Sequence, residues 1–93
     1  MADEALERRF RIVNTKGLHA RASAKFVQCT AKFEASVTVS KDGQSVAGTS
    51  IMGLMMLGAG PGSEVVVRAT GVQAHEALDA LERLITTKFG EDT

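Results

Sequence analysis

The chain has 93 residues, 44% of them apolar and 24% charged, and its 11 basic and 11 acidic side chains give a formal net charge of zero. This length excludes elaborate two-lobed catalysis, and the charge balance excludes bulk attraction to nucleic acid or to an anionic membrane. The single cysteine, Cys29, excludes an internal disulfide, and the longest nearly apolar run, Ile51 to Gly62, is too short and too broken by glycines and Pro61 to span a bilayer.

No basic start followed by an apolar stretch looks like a secretion signal, so a reducing cytoplasm is the expected location. Residues 1–6 and 91–93 are expected to fray around one domain over residues 7–90. From Arg8 to Val13, Phe10 and Ile12 alternate with arginines, which predicts a strand, and Asn14-Thr15-Lys16-Gly17 reads as the loop after it. Between Ala20 and Phe33 the larger apolar residues Phe26, Val27, Cys29 and Phe33 fall nearer to helical than to strand spacing, with Arg21, Lys25, Gln28 and Lys32 on a basic outer face.

Ala35, Val37 and Val39 then alternate strictly with Ser36, Thr38 and Ser40, and Asp42-Gly43 predicts a tight hairpin into a short strand through Val46. A short apolar helix is expected from Ile51 to Leu57, capped by Ser50 and ended by Gly58. Gly58 to Pro61 and Gly62 is a turn, lacking the Lys-Ser/Thr ending of a phosphate-binding loop, and Glu64 to Ala69 is a fourth strand. From Ala74 to Phe89, the stripe Ala74, Ala77, Leu78, Leu81, Leu84 and Ile85 predicts a last helix lying on a sheet.

The element order is β-α-β-β-α-β-α. With its hairpin it implies an α+β fold, a two-layer open-faced β-sandwich with a four-stranded antiparallel sheet and three helices on one face.

His19 stands where the first helix begins. A helix start presents unpaired N–H groups and positive partial charge, so a histidine there sits beside an anion site. By residue type alone a histidine in this position is more often a cap or surface residue. However, neutral imidazole is a good nucleophile, and a phosphoryl group on it would meet the backbone N–H groups of Ala20 and Arg21 and the Arg21 guanidinium. His19, Cys29 and His75 do not cluster at ligand spacing, so neither a metal nor another cofactor is expected.

Gly17-Leu18-His19-Ala20-Arg21, followed by Ser50-Ile51-Met52-Gly53-Leu54-Met55-Met56-Leu57-Gly58, resembles the histidine-containing phosphocarrier family of the bacterial phosphotransferase system, HPr and its nitrogen-branch relative NPr. The resemblance covers nearly the whole chain. It implies that Enzyme I, charged by phosphoenolpyruvate, passes a phosphoryl group to Nδ1 of His19, which passes it to an EIIA-type acceptor, and that Arg21 stabilises the group. The protein is then a carrier forming a covalent phosphohistidine, not an enzyme with turnover of its own.

The resemblance also implies regulatory phosphorylation of Ser50 by an HPr kinase/phosphorylase, with Ser50 remaining a helix cap whatever else it does. Where most members read His-x-Arg-Pro-Ala, this chain has Ala22 and Ser23, so the proline that pre-sets the first helical turn is missing. Lys25, Met52, Leu54 and Met55 are expected to form part of a partner surface, flexible methionines suiting several partners, with Arg68 as a further rim cation. The branch, sugar transport or nitrogen-type regulation, stays open with a lean to the second, and a monomer is expected. The alternative is a non-phosphorylated regulatory α+β protein-interaction module in which His19 is only a cap. An RNA-binding sheet lacks support, since the chain has no tyrosine or tryptophan and no net charge.

Overall fold

A computed structural model describes residues 5–93. Strand β1 (Leu6–Arg11) turns Leu6, Arg8 and Phe10 to one side and Glu7, Arg9 and Arg11 to the other. It starts earlier than the sequence pattern implies, because Leu6 pairs with Ala69 and packs against the core. Leu6, in the stretch expected to fray, is therefore the first residue of β1, while residues 1–4 lie outside the described residues.

Helix α1 (Ala20–Thr30) follows, then β2 (Ser36–Lys41), β3 (Gln44–Ala47), α2 (Ile51–Met56), β4 (Glu64–Thr70) and α3 (Ala74–Thr86). The strands form one sheet in the order β1-β4-β2-β3, every neighbouring pair antiparallel. Asp42 and Gly43 both take positive φ, 50° and 84°, as a two-residue turn matched to strand twist requires. Phe10, Val37, Val39, Val65, Val67 and Ala69 form the inner face of the sheet, under Phe26, Leu54, Leu78, Leu81 and Ile85 from the helices. The open-faced α+β sandwich is thus the observed fold. Arg8 ties β1 to α3 through Asp79 at 2.8 Å and Glu82 at 2.9 Å. Arg68 points to the open face and pairs with Glu7 at 3.5 Å, so it does not rim the helix side as expected.

Two helices are shorter than their apolar patterns suggest. In α1 the buried side is Ala22, Ser23, Phe26 and Thr30, with Val27 and Cys29 only half-buried beside it. The helix stops before Phe33 because the Lys32 and Phe33 N–H groups donate to carbonyls three residues back, closing tight turns. Helix α3 stops at Thr86, ahead of Phe89. Lys88 and Phe89 adopt left-handed φ of 59° and 56°, a conformation costly for such residues, and this folds the Phe89 ring back into the core. Lys25 holds that reversal, its Nζ donating to the Phe89 carbonyl at 2.6 Å. Among the described residues no helix is long and apolar enough to cross a membrane.

Candidate functional site at the start of the first helix

The loop between β1 and α1 is built around Gly17. Its φ is +65°, and a Cβ there would lie 2.3 Å from the Ala59 carbonyl oxygen and 2.8 Å from the Gly60 Cα. Only glycine allows this approach, which lets the Leu18 N–H donate to the Ala59 carbonyl at 2.9 Å and buries Leu18. The loop that carries the histidine is thereby docked on the turn that follows α2.

His19 then caps α1. Its backbone is extended, φ −73° and ψ −179°, its carbonyl accepts from the Ser23 N–H at 2.8 Å, and its Nδ1 accepts from the Arg21 N–H at 3.2 Å. As the first residue of the helix, Ala20 carries an N–H outside the intrahelical ladder. The Arg21 side chain is exposed, and among the described residues no ion pair holds its guanidinium. Ala22 is fully buried, and the first turn forms without the proline usual in the resembled family.

The other ring nitrogen of His19 meets a residue that sequence reasoning missed. Nε2 lies 2.5 Å from the Glu91 Oε2, and Glu91 Oε1 accepts from the Asn14 Nδ2 at 3.0 Å. Asn14 is fully buried and also donates to the Gly17 carbonyl at 2.9 Å. Glu91, in the stretch expected to fray, is held in this network next to the buried Phe89, and the Thr93 backbone oxygen accepts from the Thr15 N–H at 3.2 Å. Nothing in the sequence near Glu91 signals the contact, whose partners lie 72 and 77 positions away.

Lys16, His19, Arg21, Lys25, Glu91 and Asp92 line an open cleft of about 560 Å³. Three cations against two carboxylates make it a place where an anion is attracted but not enclosed. The Asn14 amide, assisted by His19 and Lys16 and opposed by burial, holds the Glu91 carboxyl below its ordinary range. A lowered carboxyl stabilises the fold above its unfolded pKa, about 4.3, and that contribution is lost as pH falls through the folded value. The Asn14 side-chain amide resonances are therefore expected to move only on acidification below the ordinary carboxyl range, and to stay in place in Glu91→Gln.

Ser50 caps α2, its Oγ accepting from the Gly53 N–H at 2.9 Å. The apolar helix divides sharply. Leu54, expected on the partner surface, is fully buried, because it and Leu57 fill the side of α2 that faces the core. Met52 and Met55 are exposed as expected, and Ile51 and Met56 join them, Met52 at 69% and Met56 at 76%. Lys25 is half-buried with its ammonium committed to Phe89, so it is not a free surface cation. Cys29 lies between α1 and α3, where burial pushes its thiol upward. His75 is exposed and pairs with Asp79 one turn on, at 3.2 Å.

The site is thus a half-exposed histidine capping a helix at the edge of an open cleft, with an exposed apolar strip on the neighbouring helix α2. The model of the PTS HPr component phosphorylation site family matches residues 6–87. The chain is 49% identical to the phosphocarrier protein HPr of Cupriavidus necator over 86 residues, covering 92% of this chain and 97% of the relative. It is 37% identical to the phosphocarrier protein NPr of Shewanella violacea over 86 residues, covering 92% and 94%. The crystal structure of HPr-C-His from Thermoanaerobacter tengcongensis superposes with a TM-score of 0.90 at 44% identity, covering 95% of this chain and 99% of that one. The chain belongs to the HPr family of phosphotransferase-system phosphocarriers, and its role is that of a carrier rather than a catalyst.

Proposed function

We propose that the chain accepts a phosphoryl group on His19 Nδ1 from Enzyme I, charged by phosphoenolpyruvate, and passes it to an EIIA-type acceptor. The observation that carries this reading is the placement of Nδ1 at the amide end of α1, beside the Arg21 N–H. A phosphoryl group bonded there would take hydrogen bonds from the Ala20 and Arg21 N–H groups and charge compensation from the Arg21 guanidinium. The half-exposed ring suits reversible transfer between two proteins, since a partner supplies the rest of the transition-state site.

Ser50 is the regulatory site in this reading, phosphorylated by an HPr kinase/phosphorylase, and Met52 and Met55 join Ile51 and Met56 in the docking surface. The protein works as a cytoplasmic monomer. Incubation with Enzyme I and phosphoenolpyruvate should add the mass of one phosphoryl group, lost in mild acid and absent in His19→Ala. An acid-stable addition, or one that persists in His19→Ala, contradicts the assignment. Kinase and ATP should instead add an acid-stable phosphate, absent in Ser50→Ala.

A further inference from the structure

The network behind His19 is composed so that only one protonation pattern satisfies it. Asn14 Nδ2 faces two acceptors, the Gly17 carbonyl and Glu91 Oε1, and the two amide hydrogens serve both. Turning the amide over would set its oxygen against both acceptors, so its orientation is fixed. Glu91 Oε1 is thereby committed to Asn14, and Oε2 is left for the imidazole. A carboxylate only accepts, so Nε2 must carry the ring hydrogen. On the other side of the ring the Arg21 N–H only donates, so Nδ1 must present its lone pair. Two independent partners on opposite sides of the imidazole demand the same tautomer.

We propose that Glu91, held by Asn14, is the positioning residue of His19: its carboxylate fixes the Nε2–H tautomer and keeps the Nδ1 lone pair turned to the amide end of α1. This rests on the reading of His19 as phosphoryl acceptor, and it adds a residue from the far end of the chain to that site.

The transfer balances without moving a proton. The Nδ1 lone pair forms the new N–P bond, and the electron pair of the bond that held the phosphorus to the donor returns to the donor atom. The ring keeps its Nε2 hydrogen and gains positive charge. Glu91 then faces that charge across 2.5 Å, while the phosphoryl oxygens lie on the far side of the ring, toward Ala20 and Arg21. Glutamine cannot replace this carboxylate. With its oxygen toward Asn14 its NH2 must face Nε2, and with its oxygen toward Nε2 its NH2 must face the Asn14 NH2.

The experiment uses the full chain in two arms. In the first, the unphosphorylated protein above pH 7 is observed by proton and nitrogen-15 NMR. The expected result is a downfield, exchange-protected His19 Nε2–H resonance that disappears in both Glu91→Gln and Glu91→Ala, with the amide spectrum of the sheet retained. Its absence from the parent protein, or its persistence in Glu91→Ala, overturns the proposal. In the second arm, the rate of phosphoryl acceptance from Enzyme I is expected to fall roughly tenfold in Glu91→Ala, as when a ligand's orienting partner is removed. An unchanged or faster rate overturns it too. Should the parent protein accept no phosphoryl group, the carrier reading fails, and the first arm alone decides whether Glu91 positions His19.

Discussion

Gly17→Ala is expected to lower stability by about 2–5 kcal/mol, the sum of left-handed strain in a residue with a side chain and the cost of overpacking. The clash is with backbone. The new methyl would lie 2.3 Å from the Ala59 oxygen and 2.8 Å from the Gly60 Cα, neither of which has a rotamer to escape by. The loop must therefore lift off the turn, which breaks the Leu18 to Ala59 hydrogen bond and exposes Leu18. A domain of this size should then melt at least about 10 °C lower. Gly58→Ala is the control: φ is again +65°, but no atom lies within 4 Å of its Cβ, so only the left-handed conformational cost of about 1–2 kcal/mol remains. Equal losses in thermal melts of the two variants would show that close approach is not what Gly17 provides. Because His19 follows two residues later, Gly17→Ala should also slow phosphoryl acceptance, and Gly58→Ala should do so less.

Local chemistry made much of this fold legible. Asp42-Gly43 specified its turn, the Val37 and Val39 alternation specified β2, and Ser50 specified the start of α2, because each signal is settled within a few residues. Helix ends were less legible: the stripe that places Leu78, Leu81 and Ile85 inside gives no warning that Lys88 and Phe89 reverse the chain. The ammonium that stabilises the reversal comes from Lys25, 64 residues earlier. At the candidate site, His19 and Arg21 were singled out by their place at a helix start together with the motif's resemblance to the phosphocarrier family. Asn14 and Glu91 were not, since a polar loop residue and an acidic tail residue acquire meaning only when the fold brings them together. Leu54 was misplaced for a related reason. An all-apolar helix does not reveal its inward side until its neighbours are known, and here α1, β3 and the core take that side.

The position of Ser50 relative to His19 makes a separate prediction about regulation. Helix α2 rises about 9 Å over its six residues, and its far end leads into the turn on which the Leu18 loop rests. A phosphate on Ser50 would therefore stand at the opposite end of the exposed strip Ile51, Met52, Met55 and Met56 from the turn supporting His19. Within the free protein it is well placed, since the first-turn N–H groups favour negative charge and Gly53 leaves room beside the Ser50 Oγ. Its effect should fall on docking, where a dianion must be stripped of water against an apolar partner surface or be held away from it. Phosphorylation of Ser50 is expected to slow transfer from Enzyme I about 10- to 100-fold, or about 1.4–2.7 kcal/mol, and to change the melting temperature by only a few degrees. Ser50→Ala should show the reverse pattern, losing roughly 0.5–2 kcal/mol of stability with the cap while transfer falls far less. Transfer assays on the phosphorylated form decide between charge at the interface and damage to α2. Rates equal to the unmodified protein rule out the first, and a large fall in melting temperature points to the second.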